Sequence, residues 1–295
     1  MKKVAVIVVT YNRKELLIEN INALLKQTYK NLDILVIDNH STDGTKMAIQ
    51  SYIDKNKIIY VDTGANLGGA GGFQYGIKYA AKRNYYSVWV MDDDCIPTAT
   101  ALEELMKIDK KLDGNYGFLS SKTLWKDKTI CTMNVQRRTL TKNIMNFSNP
   151  VIKCSLASFV SLLIPTKVVK KVGLPIKEFF IWTDDWEYTR RISKQYPCYV
   201  VSRSIVIHKS ASNVGANIAT DSSKRINRYY YLYRNDVYLY RREGYKGFLY
   251  ELLRLTDHTV RVIFKAKDHK LNRLNAIFKG TCAGLKFKPA IEYLK

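Results

Sequence analysis

Two short acidic runs in the 295-residue chain could do chemistry by their spacing alone. The first, Asp92-Asp93-Asp94, closes the apolar run Val88-Trp89-Val90-Met91. Such a run reads as a buried strand, and three carboxylates crowded at its end repel one another unless a positive group sits among them. A divalent cation meets that need. Magnesium and manganese take oxygen ligands and usually carry part of a phosphate group, so the triplet points to a phosphate-bearing substrate at the carboxyl end of a sheet. A solvated acidic turn is the plain alternative for the triplet taken alone. The second run, Asp184-Asp185-Trp186-Glu187, follows the aromatic stretch Phe179-Phe180-Ile181-Trp182. Acids in the first turn of a helix are favoured by its dipole, and for Asp184 and Glu187 that suffices. The functional alternative is a carboxylate that takes the proton from an attacking hydroxyl, which requires a base within hydrogen-bond reach.

The elements that must position these acids are legible in the first third. Residues 4–9 are continuous, apolar and mostly β-branched, the pattern of a strand buried on both faces. After Thr10-Tyr11-Asn12-Arg13, the residues Leu17, Ile21, Leu24 and Leu25 fall on one face of a predicted helix. Residues 32–37 form a second strand ending at Asp38, residues 39–44 a turn capping the next helix, and residues 57–61 a third strand. The block Asn66-Leu67-Gly68-Gly69-Ala70-Gly71-Gly72-Phe73 then opens a helix with Phe73, Ile77 and Ala80 inward, which delivers the chain to the Val88 strand. Three strand-helix crossovers imply parallel strands in an open α/β sheet. In such a sheet ligands bind at the carboxyl ends of the strands, where Thr10 to Arg13, Asp38-Asn39 and the triplet all fall. The glycine block fits neither GK[ST] nor GxGxxG spacing. It allows close approach of backbone to a flat or phosphorylated ligand, with Gly69 in the loop and the Asn66 amide as hydrogen-bonding group, or else tight packing.

Composition narrows the partners. Lys and Arg number 48 against 26 Asp and Glu, a net charge of +22 that calls for an acidic partner: nucleic acid, anionic lipid or a nucleotide-linked metabolite. The five cysteines, Cys95, Cys131, Cys154, Cys198 and Cys282, are odd in number and lack CxxC spacing, which argues against a disulfide framework and a zinc site. A reducing cytoplasm fits. The apolar run after Met-Lys-Lys is too short for a signal-peptide core, and no run reaches the roughly 18 apolar residues of a spanning helix.

Strand-Thr10-Tyr11-Asn12-Arg13, strand-Asp38-Asn39-x-Ser41-x-Asp43-Gly44-Thr45, the Asn66 to Phe73 block and the aspartate triplet, in this order, resemble the nucleotide-binding half of family 2 glycosyltransferases. The resemblance covers about residues 1–215. It implies the GT-A fold, a Rossmann-like mixed α/β sheet flanked by helices, and an inverting hexosyltransferase. It places Thr10, Tyr11, Arg13, Asp38, Asn66, Gly69, Asp92 and Asp93 against a nucleotide-sugar donor, with Asp38 at the uracil or ribose. It assigns Asp92, Asp94 and His208 to a Mn2+ or Mg2+ ion and Asp185, beside Asp184, to the base. Trp182, Trp186 and Glu187 fall on the acceptor side, where the tryptophans offer faces for sugar rings and buried packing is an equal alternative. The glycine block is similar to that of bacterial galactofuranosyltransferases, which implies UDP-galactofuranose, with dTDP-rhamnose as the alternative donor and a metal-dependent nucleotidyltransferase as the alternative class. The acceptor implied is a glycan or a polyprenyl-diphosphate-linked sugar of cell-surface polysaccharide synthesis.

Beyond the acids the sequence says less. Residues 96–112 read as a polar helix and residues 117–150 as irregular and basic. The catalytic domain is expected over residues 1–220. From Asp221 onward, 17 Lys and Arg stand against 7 Asp and Glu, interleaved with Tyr229, Tyr230, Tyr231, Tyr233, Tyr238 and Tyr240. No RNA-recognition signature accompanies them, so nucleic acid is not expected. Residues 221–295 are predicted to be helical and to meet an anionic membrane, with tyrosines at the headgroup level, or a second subunit. The protein is expected in the cytoplasm, peripheral at the inner face of the cell membrane.

Overall fold

The computed structural model describes residues 2–294. In chain order it runs β1 (Val4–Thr10), α1 (Lys14–Leu25), β2 (Leu32–Asp38), α2 (Thr45–Ala48), α3 (Gln50–Asp54), β3 (Ile59–Asp62), α4 (Gly68–Ala81) and β4 (Ser87–Asp92). It continues with β5 (Cys95–Pro97), α5 (Ala101–Lys111), β6 (Leu119–Trp125), β7 (Val151–Lys153), β8 (Leu162–Pro165), α6 (Thr166–Val172), α7 (Asp184–Ser193) and β9 (Tyr199–His208). Three helices close the chain: α8 (Tyr229–Arg241), α9 (Gly244–Lys265) and α10 (Lys270–Lys286). Among the described residues the strands form one nine-stranded mixed sheet in the order β3-β2-β1-β4-β8-β6-β9-β5, with β7 against β9.

The crossovers predicted from the sequence are present: β1, β2, β3 and β4 are mutually parallel, with β1 between β2 and β4. β1 alternates strictly between two cores. Ala5, Ile7 and Val9 face α4, α6 and α7, while Val4, Val6 and Val8 face α1 and α5. A strand covered on both faces has no solvated side, which is why its sequence is uninterrupted by polar residues.

Several expectations fail for identifiable reasons. Leu25 is 37% exposed, because Leu17, Ile21 and Leu24 already fill the face α1 turns to the sheet. The polar helix begins at Ala101, and Cys95–Pro97 is a strand antiparallel to β9. Residues 117–150 contain β6, which lies between β8 and β9. Its sequence LSSKTLW gives no apolar run, yet Ser120, Ser121 and Thr123 are buried. The Ser121 hydroxyl lies 2.7 Å from those of Ser161 and Ser204, and Gln136 Nε2 donates to Ser120 Oγ at 2.8 Å. A hydroxyl ladder satisfied in this way makes a polar strand tolerable in a core. The C-terminal tyrosines also depart from expectation. Tyr229, Tyr233, Tyr238 and Tyr240 are fully buried, with Tyr229 against Trp182 (ring centroids 5.1 Å) and Tyr238 against Phe179 (5.4 Å). The chain end returns to the catalytic half: the Glu292 carbonyl accepts from Leu174 N at 2.8 Å, and its carboxylate accepts from Gln74 Nε2 on α4.

The glycine block packs rather than cradles. A Cβ on Gly72 would stand 2.6 Å from Val9 Cγ1, and one on Gly76 would stand 2.6 Å from Ile7 Cγ2 and 2.9 Å from Ile37 Cγ1. These two positions let α4 lie directly on β1 and β2. Gly76→Val is expected to lower unfolding stability by about 2 kcal/mol or more, through overpacking and a β-branched residue in a helix, read as a shift in the denaturation midpoint at unchanged m.

Candidate active site

The triplet sits where β4 leaves the sheet, and its neighbours follow from strand register. β1 pairs with β4 so that Val9 lies opposite Asp92, which sets Thr10 beside the acids: Thr10 Oγ1 donates to Asp93 Oδ2 at 2.8 Å. Arg13, at the entry of α1, donates to Asp94 Oδ2 at 2.8 Å and lies 3.4 Å from Asp93 Oδ1. β5 pairs with β9 so that Cys95 lies opposite His208, which brings the imidazole Nε2 to 3.1 Å from Asp94 Oδ1. Asp92, Asp94, Cys95 and His208 each offer one ligand atom, and these atoms lie within 4.8 Å of one another.

The charges in this cluster are out of balance. Burial, reinforced by Asp94, raises the Asp92 carboxyl to about 7, and burial raises Asp93 to about 6. Burial also acts on Asp94, but His208 and Arg13 override it and hold this carboxyl below its usual value. His208 is buried, which disfavours charge, yet the carboxylates raise it to about 10. Without another cation, the imidazolium therefore serves as counter-ion. Two carboxylates and an imidazole converging in this way suit a divalent ion that prefers oxygen and nitrogen. The Cys95 thiol is pushed well up by burial and then by Asp94 and Asp92, so it stays protonated and is a poor ligand for such an ion. Asn134 holds the ring: its Oδ1 lies 2.8 Å from His208 Nδ1. A carbonyl oxygen can only accept, so Nδ1 carries hydrogen and Nε2 is the nitrogen available to a metal.

Residues matched to the nucleotide side line the carboxyl ends of β1 and β2. Asp38 is buried; its Oδ1 accepts from Ser41 N (2.9 Å) and Ser41 Oγ (2.6 Å), and its Oδ2 accepts from Tyr60 at 2.8 Å. Tyr11 is exposed. Asn66 spends its Oδ1 on Gly68 N at 2.9 Å, which fixes the turn into α4. Of the block's glycines, Gly69 faces open space, whereas a Cβ on Gly68 would meet the Phe180 carbonyl.

That carbonyl belongs to the loop carrying the second acidic run. Phe180, Trp182 and Thr183 all have positive φ (64°, 66° and 68°), a conformation that costs each non-glycine residue about 1 kcal/mol or more. α8 holds the loop there. Asn235 Nδ2 lies 3.0, 3.1 and 2.9 Å from the carbonyls of Phe179, Ile181 and Trp182, and Thr183 Oγ1 donates to Asp236 Oδ1 at 2.6 Å. Ala70 N donates to the Phe180 carbonyl at 3.2 Å, tying the loop to the start of α4. α7 then begins with Asp184, which is buried, and Asp185, which is half-buried. Burial raises Asp184 to about 7, and burial followed by the Asp184 charge raises Asp185 well above the carboxylate range, with Asp92 adding to it from the triplet.

The acceptor-side expectations are corrected in part. Glu187 is buried in a two-pronged ion pair with Arg191 (3.0 and 2.8 Å), whose guanidinium also donates to the Val172 and Leu174 carbonyls. Both its oxygens are engaged in holding α7, so it is not free for substrate. Trp182 packs on Tyr229, as the packing alternative had it, and Trp186 lies under the Arg137 guanidinium at 3.9 Å. Asn134, Asn235 and Asp236 have no motif in the sequence, because each joins the site through tertiary contact.

Residues 5–144 match the family described as Glycosyl transferase family 2. Over that stretch, just under half of its length, the chain is similar to a family 2 glycosyltransferase domain. An uncharacterized glycosyltransferase of Rickettsia typhi is 28% identical over 225 residues, 72% of this chain and 67% of the relative. Across three Rickettsia relatives the chain spans from 37% to 67% of their length. Galactofuranosyltransferase GlfT1 of Mycolicibacterium smegmatis is 23% identical over 268 residues, 83% of this chain and 85% of that one. WfgD of Escherichia coli, a UDP-Glc:alpha-D-GlcNAc-diphosphoundecaprenol beta-1,3-glucosyltransferase, is 32% identical over 116 residues, 39% of this chain and 44% of WfgD. The structure superimposes on a mannosyltransferase from Pyrobaculum calidifontis, solved with GDP-Man and Mn2+, at a TM-score of 0.55 and 16% identity, covering 95% of this chain and 73% of that one. The fold is therefore GT-A, that of the glycosyltransferases on which the structure superimposes.

The loop clamp generates a test. Asn235→Ala leaves the carbonyls of Ile181 and Trp182 without this donor, while that of Phe179 keeps Arg234 Nη2 at 3.2 Å, so unfolding stability should fall by about 1–3 kcal/mol. Turnover should fall as well, since the loop sets the position of Asp185. Unchanged turnover in a folded variant would remove the clamp from the site.

Proposed function

We propose that the protein is an inverting glycosyltransferase that moves a sugar, best matched by galactofuranose, from its UDP conjugate to a hydroxyl of a lipid-linked glycan. The observation carrying this is the convergence of Asp92, Asp94 and His208 on one point, together with a raised Asp185 at the start of α7. Asp38, with Thr10, Tyr11 and Arg13, holds the nucleotide; Asn66 and Gly69 shape the open turn beside it. Asp93 is kept by Thr10 and Arg13 as a support for that wall. Mn2+ or Mg2+ held by Asp92, Asp94 and His208 would offset charge building on the leaving diphosphate. Asp185 takes the acceptor proton while the acceptor oxygen bonds to the anomeric carbon and the bond to the diphosphate breaks, so UDP leaves with the electron pair. Attack from the face opposite the nucleotide inverts that carbon in one step.

The donor follows from likeness to a galactofuranosyltransferase, and the lipid-linked acceptor from relatives of the kind WfgD represents. Such an acceptor would bring residues 1–220, as the catalytic domain, to the inner face of the cell membrane, with residues 221–295 buttressing its base loop.

A panel of UDP-galactofuranose, UDP-glucose and dTDP-rhamnose, read by nucleotide diphosphate release with a polyprenyl-diphosphate-linked acceptor, tests the assignment. UDP-galactofuranose should be consumed only with added Mn2+ or Mg2+, and Asp94→Ala should abolish transfer with the fold intact. Full activity in chelator sinks the metal site; turnover of another donor and not this one replaces the sugar and leaves the mechanism standing.

The base has its own signature. Asp185→Asn should keep donor binding and lose roughly 100-fold or more in turnover. Because a raised carboxyl must first lose its proton, kcat should rise with pH along an acid limb well above the ordinary carboxylate range. Asp184→Asn removes a charge that raises Asp185, so this limb should move to lower pH; a limb that stays in place transfers the role to another group.

A further inference from the structure

The described helix α9 is built inside out. Its inward side carries charge: Glu251 and Arg254 pair with each other, Arg254 also pairs with Asp236 of α8, and His258 Nδ1 lies 2.9 Å from the Tyr233 hydroxyl. Its outward side carries Tyr245, Phe248, Leu252, Leu253, Ile263 and Phe264, with Tyr245 78% and Phe264 79% exposed. At 100° per residue, positions 245, 249, 252, 256, 260 and 263 fall on one line, so the stripe runs the length of the 22-residue helix, about 33 Å. α10 repeats the pattern with exposed Leu271, Phe278 and Leu285 at seven-residue spacing. The stripe cannot be buried by rolling α9, because that would pull Arg254 from Asp236, whose other oxygen holds Thr183.

We infer that the apolar stripe of α9 docks on an anionic lipid bilayer, lying in the interface with its basic residues on the headgroups. Charge selects this occupant. Residues 244–288 carry ten Lys and Arg against three Asp and Glu; Arg254 and Arg273 are turned inward in ion pairs, whereas Lys246, Lys265 and Lys267 are exposed along or just beyond the helix. A second copy of a chain of net charge +22 would bring like charge to this face, whereas phosphatidylglycerol supplies the opposite sign. No helix among the described residues is long and apolar enough to cross a membrane, which leaves α9 lying flat and not spanning. The buried tyrosines of α8 take no part. The inference stands on α9 alone and is independent of donor, acceptor and metal.

Flotation of the full chain, without substrate, with vesicles of phosphatidylcholine alone or mixed with phosphatidylglycerol tests it. The protein should float only with the anionic vesicles and detach as salt rises, since screening shortens from roughly 10 Å at 0.1 M to 3 Å at 1 M. Leu252→Asp with Phe264→Asp, both exposed and so neutral to the fold, should weaken binding roughly tenfold or more at unchanged circular dichroism. Three results overturn the inference: no flotation of the natural chain with anionic vesicles, equal flotation of the double variant, or a lipid-free dimer in sedimentation velocity that the double variant dissociates. The lipid selectivity and salt release of the natural chain decide the matter even if the variant proves unstable.

Discussion

Burying like charge at the end of a buried strand is the constraint on which this structure turns. Two of the three carboxylates at the end of β4 have less than a tenth of their surface exposed, and taking an ion out of water costs several kcal/mol. Almost every element around them contributes something to that balance. β1 brings Thr10, the start of α1 brings Arg13, and β9 brings His208, each through strand register or a tight turn. The balance is incomplete at Asp92, whose carboxyl burial and then Asp94 push up to about 7, and an incompletely neutralised acid cluster is what a site for a cationic cofactor requires.

The same constraint recurs at α7, where burial and then Glu187 raise Asp184, and burial and then Asp184 raise Asp185. Here the backbone carries the burden. Three positive-φ residues aim the helix start, and the loop keeps this shape because Asn235 and Asp236 hold it from outside the catalytic sheet. Strain of this kind persists only where surrounding structure over-determines it. The helices after β9 are thus part of what makes the acids usable, although they contribute no group to the metal cluster.

What could be read from the sequence was what repeats locally. β1 and β4 were legible because strands buried on both faces are apolar throughout, and the triplet because its charge interrupts such a run. β6 was not, since its Ser120 and Ser121 gain their tolerance from Ser161, Ser204 and Gln136, which lie far along the chain. The glycine block allows either a ligand or tight packing; Gly72 and the later Gly76 give room to Val9 and Ile7 while Gly69 faces open space, and only the fold reveals which neighbour fills each position. Tyr229 and Tyr238 looked interfacial by composition; their burial depends on Trp182 and Phe179, some fifty residues earlier. Asn134 and Asn235 carry no pattern of their own.

The contact of Glu292 with Gln74 joins residues 218 apart. A chain emerges from the ribosome at roughly 5–20 residues per second and its N-terminal units fold first. β1 to β4 can therefore assemble early, but the flank of α4 that Glu292 covers must wait for nearly all the remaining chain, and so must the loop that α8 holds. During that interval the half that carries Asp92 to Asp94 exists without Asp185 in place. An unfinished chain would thus hold one acidic cluster while the other still lacked its scaffold.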